Sequence, residues 1–228
     1  MKDTLLREAR QLGLSLSEEQ LSLFCRFGEE LLEKNQVMNL TAITQPQAVV
    51  TLHFADCLAL LNIEDFKNKQ VIDVGCGAGF PGVPLKFGEP SIHLTLLDSL
   101  QKRILWLNET LDRLGVEARC FASRAEDFQA REQFDIAASR AVARLNILAE
   151  LCLPFVKVGG CFLAMKGAAA CEELEEAEHA IRILGGKAER IAEYQIGDAV
   201  HRVVVVRKVK ETPKQYPRRF AKIKQQPL

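Results

Sequence analysis

The stretch Val71-Ile72-Asp73-Val74-Gly75-Cys76-Gly77-Ala78-Gly79-Phe80-Pro81-Gly82 decides the fold of this chain. A short apolar run carrying one carboxylate drives into a cluster of glycines. Such a run reads as a buried parallel strand whose carboxyl end meets a ligand. Glycines there let the backbone approach a ligand that a Cβ would hold off. About twenty residues further on, Leu94-Thr95-Leu96-Leu97-Asp98 reads as a second buried strand, ending in an acid placed to take ribose hydroxyls. Together these segments predict a site for a nucleoside cofactor.

Working outward, the rhythm after Val71 is strand then helix. Strands are predicted at 71–74, 93–97, 118–122, 134–138, 160–165, 188–195 and 201–208, with helices at 101–114 and 169–184. This alternation implies a parallel sheet covered on both faces. The last two strands lie too close for a crossover helix, so they predict an antiparallel hairpin at one edge. A parallel sheet with a reversed terminal strand is the arrangement of class I, Rossmann-like methyltransferases.

Before the sheet, residues 1–65 read as a helical segment. Leu5, Leu6, Ala9 and Leu12 recur at helical spacing. Ser17 and Gln20 form a capping box, after which Leu21, Phe24, Phe27, Leu31 and Leu32 continue one apolar face. Pro46 opens a third helix that turns Val49, Val50, Phe54, Leu58 and Leu61 inward. Residues 66–210 then form the α/β domain, and 211–228 a basic tail. Pro213, Pro217 and Pro227 predict that this tail is neither ordinary helix nor central strand.

Composition bounds the function. The chain has 228 residues, 48% hydrophobic and 26% charged, with a formal net charge of zero, as expected of a soluble globular protein with a full core. The cysteines at 25, 57, 76, 120, 152, 161 and 171 form no C-x-x-C pair. Neither a metal site nor a disulfide framework is therefore expected. No basic-then-apolar leader and no run of membrane length are present, so a cytoplasmic protein without membrane contact is expected. Nothing points to an obligate oligomer, and a monomer is expected. Charge is nonetheless segregated. Between Arg202 and Lys224 stand Arg207, Lys208, Lys210, Lys214, Arg218, Arg219 and Lys222 against the single acid Glu211. A basic patch on a neutral protein suits a polyanion.

The glycine loop admits two frames. Gly77 to Gly82 satisfies G-x-G-x-x-G, the dinucleotide fingerprint. The other frame, Asp73 followed by Gly75, Gly77 and Gly79, suits S-adenosylmethionine, whose ammonium and sulfonium groups favour a nearby carboxylate. A diphosphate would want N–H donors and no acid, and Pro81 removes one donor. The methyl donor is therefore preferred. On this frame Asp73→Ala is expected to abolish cofactor binding. At later strand ends stand Ser123-Arg124-Ala125-Glu126, Ser139-Arg140-Ala141 and Lys166-Gly167. Arg124, Arg140 and Lys166 thus gather cations on one rim and point to an anionic, phosphate-bearing acceptor.

The strings NLTAI (39–43), VIDVGCGAGFPGVPL (71–85), LLDSLQKR (96–103), SRAE (123–126), SRA (139–141), KG (166–167) and YPRR (216–219) closely resemble the bacterial glucose-inhibited division protein B family. The resemblance runs over nearly the whole chain. It implies methyl transfer from S-adenosylmethionine to N7 of one guanine in 16S rRNA of the small ribosomal subunit. It also implies cofactor positions at Gly75 and Phe80 and an adenine side at Ala125 and Glu126. Asp98 matches the ribose-binding acid, and Arg140 a cofactor or acceptor arginine. His53 and Asp56 match an H-x-x-D pair on a helix over the site. Two places depart from the pattern: Cys57 stands where many members carry serine, and the tail YPRRFAKIKQQPL lacks the Gly-Thr-Pro form.

Guanine N7 has a free lone pair, so the implied reaction needs no general base. Arg124, Arg140 and Lys166 are expected to hold phosphate or the O6 side. A lone histidine such as His53, set among Val49, Val50, Phe54 and Leu58, is ordinarily a satisfied core residue, although a catalytic role is considered. Trp106 is expected to pack. The RNA-binding set is expected to be Lys166, Arg207, Lys208, Arg218, Arg219 and Lys222. Removal of the tail after Lys210 is expected to weaken RNA binding and spare the cofactor. The competing readings are a class I methyltransferase with another acceptor, a ribosome-binding assembly factor without turnover, and a nicotinamide-dependent oxidoreductase. The D/N-P-P-F/Y motif of amino-group methylases is absent after the fourth strand.

Overall fold

The computed structural model describes residues 1–140 and 143–228, so Ala141 of the Ser139-Arg140-Ala141 motif lies outside the described residues. Its centre is a seven-stranded sheet made of β1 (Gln70–Val74), β2 (His93–Asp98), β3 (Arg119–Ala122), β4 (Phe134–Arg140), β5 (Val156–Lys166), β6 (Gly186–Ile196) and β7 (Ala199–Lys208). The spatial order is β3-β2-β1-β4-β5-β7-β6. Strands β1 to β5 pair in parallel, while β7 runs antiparallel to both β5 and β6. The predicted strands and the edge hairpin are thus all present. The order reverses between β1 and β4, and a crevice opens there at the carboxyl ends of the strands.

Alternation along the strands divides the core into two layers. Val71, Leu94, Leu96, Leu163, Val203 and Val205 face one layer, whereas Ile72, Val74, Leu97, Phe162, Ala164, Val204 and Val206 face the other. The first layer holds the amino-terminal helices, α1 (Lys2–Gln11) and α2 (Glu18–Met38), which starts at the predicted Ser17–Gln20 capping box. Pro46 opens α3 (Pro46–Val49), which runs on through a π-helical turn (Val50–Ala55), α4 (Asp56–Leu58) and a 3-10 turn (Ala59–Asn62). Next come α5 (Gly82–Gly88) and α6 (Gln101–Leu114), which close the layer. The second layer is covered by α7 (Leu145–Cys152) and α8 (Ala170–Ile183).

The helical segment has no core of its own, because Phe24, Phe27 and Phe54 pack in one cluster with Phe80, Phe87 and Trp106. Trp106 lies 6.0 Å from Phe27 in a stacked arrangement, a packing role that joins α6 to α2. The tail departs from expectation. Between Pro217 and Pro227 it forms a short helix, α9 (Phe220–Gln225), whose Ile223 is fully buried in the second layer. Proline bars helix only at and just before itself, and six residues between two prolines are enough for one and a half turns.

Candidate active site

A cavity of about 490 Å³ opens at the carboxyl ends of β1 and β2, within the size range of cofactor sites. The glycine loop forms its floor. Gly75 and Cys76 both donate N–H groups to the Leu97 carbonyl, at 2.8 and 3.1 Å, which ties the loop to β2. Gly77 adopts a left-handed φ of 56° and donates its N–H to Asp98 Oδ2 at 2.9 Å. Asp98 Oδ1 accepts from Leu100 N at 2.8 Å. This carboxylate is held rigidly at the cavity wall. Gly75, Gly77, Phe80, Asp98, Arg124, Ala125, Glu126, Arg140 and His53 all line the cavity.

Two residues of the predicted cofactor set do not. Asp73 is fully buried beneath the loop, and its Oδ2 accepts the N–H of Gly82 at 2.7 Å. Its side chain points into the first apolar layer because β1 alternates, and burial pushes its carboxyl up to about 7. Asp73 supports the start of α5 and does not line the cavity. Gly79 is likewise a packing position. A Cβ there would stand 2.7 Å from Val83 Cγ2 and 3.0 Å from Leu107 Cδ2, and its φ is 93°.

At the far end of the cavity the Arg140 guanidinium lies over the ring of Phe80, with Cζ 4.7 Å from the centroid. Its Nη2 lies 3.1 Å from His53 Nδ1, and its Nη1 reaches Asp56 Oδ2 at 3.4 Å. His53 Nδ1 also lies 3.1 Å from the Leu52 carbonyl, and Nε2 lies 2.8 Å from Thr41 Oγ1, so both ring nitrogens have polar partners. Burial, with the Arg140 charge, lowers the His53 pKa to about 4. His53 is therefore neutral at pH 7 with both ring nitrogens engaged. It lies against the edge of Arg140. It sits in the π-helical turn, a local widening often found at functional sites.

Asp56 is the hub of a second cluster. Its Oδ1 accepts from Tyr194 Oη at 2.8 Å and from His201 Nδ1 at 2.8 Å. Despite burial, these bonds hold its carboxyl below the usual range, and the same bond raises the His201 pKa. With Arg140, Lys166 and Glu173 these residues line a second cavity of about 560 Å³. Arg140 borders both cavities.

The predicted cationic rim is thinner than expected. Lys166 is 6% exposed, and its Nζ is taken by Glu173 Oε2 at 2.7 Å and the Ala143 carbonyl at 2.5 Å. It is held by an ion pair at the wall of the second cavity. Arg207 and Lys208 are also withdrawn from the RNA-binding set. Because β7 runs antiparallel, Arg202 pairs with Lys166 at the site end, and Arg207 pairs with Cys161 at the opposite end. Arg207 binds Glu189 and Glu64, each at 2.8 Å. Lys208 is fully buried, donating to the carbonyls of Leu153 and Val156 and to Thr212 Oγ1. Arg218 is spent on buried Glu150, donating Nη2 at 2.6 Å and Nε at 2.8 Å. Arg219 and Lys222 remain exposed and form no ion pair with a described residue.

Sequence reasoning missed Tyr194 and His201, and used Thr41, Arg103 and Phe220 only as members of quoted strings. Arg103 lines the first cavity with Nη1 3.8 Å from Asp98 Oδ2. Its position two residues into α6 was the available signal. Among the described residues, no group of three or more histidine, cysteine or acidic side chains is placed to hold a metal, and no helix is long and apolar enough to cross a membrane.

Known proteins agree with this geometry. The sheet matches a SAM-dependent methyltransferase from Aquifex aeolicus with a TM-score of 0.54 at 17% identity, covering 70% of this chain and 92% of that one. It matches TrmN from Thermus thermophilus with a TM-score of 0.55 at 18% identity, covering 70% and 53%. These show the Rossmann-like methyltransferase fold. Curated relatives are much nearer in sequence. Ribosomal RNA small subunit methyltransferase G of Clostridium perfringens is 43% identical over 99% of this chain and 98% of that protein. The protein of the same name from Alkaliphilus oremlandii is 44% identical over 100% and 99%. The model of the family described as rRNA small subunit methyltransferase G matches residues 20–202, and with relatives of this identity along the full length, this chain belongs to that family, GidB.

Proposed function

We propose that this chain transfers a methyl group from S-adenosylmethionine to N7 of one guanine of 16S rRNA in the small ribosomal subunit. The observation that carries the reading is Arg140, one side chain bordering both a nucleoside-sized cavity and a second cavity next to it. The first is assigned to the cofactor and the second to the target base.

The donor set fits the cofactor. Asp98 offers a carboxylate to ribose, the glycine loop offers close backbone approach, and Arg103 Nε is buried at the wall without a partner. Bound there, S-adenosylmethionine supplies an electrophilic methyl group on a positively charged sulfonium. The rest falls to the chain. N7 of neutral guanine carries its own lone pair, so no proton need be removed, which matches a His53 held neutral and doubly engaged. Alignment and exclusion of water supply the acceleration. Phe80 and Arg140 fix the boundary between the cavities, and Asp56 places a carboxylate where the methylated guanine becomes cationic.

N7 lies on the major-groove edge, which A-form RNA buries in a deep, narrow groove. The base must therefore enter unstacked. Exposed Arg219 and Lys222, with Arg124 at the cavity rim, are the candidates for phosphate contacts. The chain acts as a monomer in the cytoplasm on this reading, where small subunits are found. Incubation with purified small subunits and tritiated S-adenosylmethionine tests it. Label enters the RNA if the chain is an enzyme, and none enters if it is a binding factor that keeps the cofactor loop without turnover.

A further inference from the structure

The geometry points to the C-terminal tail as part of the cofactor site, with Phe220 as the wall against which the cofactor's adenine packs. This inference rests on the cofactor assignment above. The two ends of the first cavity are chemically distinct. The end at Arg140 opens toward the second cavity and belongs to the transferable methyl. Asp98, at the middle wall, is placed for ribose. The base then falls one step further, at the carboxyl end of β3, where Ser123 N–H donates to the Asp98 carbonyl at 3.0 Å.

At that end the lining includes Ser123, Arg124, Ala125, Glu126, Leu148, Leu151 and Phe220. Four of these are apolar and three are polar, which suits a purine with flat apolar faces and a polar edge. Phe220 alone comes from the tail and alone is aromatic. Its backbone N–H donates to Glu126 Oε1 at 3.3 Å, and the Arg124 guanidinium carbon lies 5.9 Å from its ring centroid.

The tail is fastened on both sides of Phe220. Before it, Arg218 donates its backbone N–H at 2.9 Å and its guanidinium at 2.8 and 2.6 Å to Glu150, which is fully buried. After it, Ile223 is inserted into the second apolar layer. Further back, Arg131 donates to the carbonyls of Thr212 and Tyr216. An aromatic ring held this firmly at a cavity edge loses little entropy when it meets a base.

Calorimetric titration of the full chain with adenosylhomocysteine and with adenosine tests the assignment. Phe220→Ala is expected to weaken both ligands by the same factor, about tenfold, on the scale of a lost base–aromatic contact. Phe220→Tyr is expected to stay within about twofold of the parent, because it keeps the ring plane. Phe220→Leu keeps apolar volume in case the alanine variant fails to fold, and it is expected to lose several-fold for both ligands. Unchanged affinity in the alanine and leucine variants, or a loss that tyrosine does not restore, overturns the assignment while leaving the cofactor reading intact. Failure of the unaltered chain to bind adenosylhomocysteine overturns the cofactor reading and this inference with it.

Discussion

Arg140 and Phe80 form a stacked pair, with the guanidinium carbon 4.7 Å from the ring centre. Behind Phe80 stands Phe27 of α2 at 6.2 Å, so the amino-terminal helices reach the site through an aromatic contact. In front, His53 and Asp56 hold the other edge of Arg140. The pair marks the place where one cavity ends and the next begins.

Arg140→Lys keeps the charge but loses the flat guanidinium, its stacking and its paired donors. Methyl transfer is expected to fall on the order of a hundredfold in kcat/KM, with adenosylhomocysteine affinity changed far less. Steady-state kinetics beside calorimetry distinguishes the two effects.

His201→Gln replaces a titrating donor to Asp56 with a neutral one. The bond to Asp56 raises the His201 pKa above its ordinary 6.5. The stability it adds is therefore full below pH 6.5 and is lost as pH rises through the raised value. Melting temperature and activity of the parent are expected to decline above that window. The profile of the variant should be flatter there.

Asp73→Asn removes a carboxyl whose pKa burial has pushed up to about 7. A raised carboxyl is most stabilising when protonated, below the ordinary aspartate range, and its contribution falls as pH climbs from about 4 to about 7. The variant should gain on the parent in melting temperature between pH 5 and pH 8. Calorimetry should find cofactor binding retained, in contrast to the loss that the loop spacing alone suggests for Asp73→Ala.

Arg218→Ala leaves the buried Glu150 without its guanidinium. Breaking such a pair costs about 3 kcal/mol or more, read by urea unfolding. Truncation after Lys210 removes Thr212, Ile223 and Phe220 as well, so stability and cofactor affinity should both drop. Sequence reasoning expected the cofactor to be spared.

Arg219→Glu with Lys222→Glu changes two exposed cations and no described ion pair. Small-subunit binding should weaken, and the salt dependence should flatten by about 0.7 to 0.9 logarithmic units per lost phosphate contact. Melting temperature should hold.

Much of this was legible in the sequence. The run from Val71 to Gly82 located the loop, Leu94 to Asp98 the second buried strand, and the close spacing of the last two strands the edge hairpin. Other residues were misplaced for reasons that spacing does not carry. Asp73 sits two residues before a glycine loop, but strand alternation turns it away from the cavity. Arg207 and Lys208 lie in a basic run, yet an antiparallel β7 carries them to the far end of the sheet. Phe220 gave no signal, since its place depends on Glu150 and Glu126, far off in the chain.

The most direct test of the central claim is mass spectrometry of 16S rRNA after small subunits lacking the modification are incubated with this chain and S-adenosylmethionine. One guanine carrying a methyl group at N7, absent when Arg140→Lys replaces the parent at limiting enzyme, is the predicted result. Methylation at another atom or base, or none at all, would contradict the account.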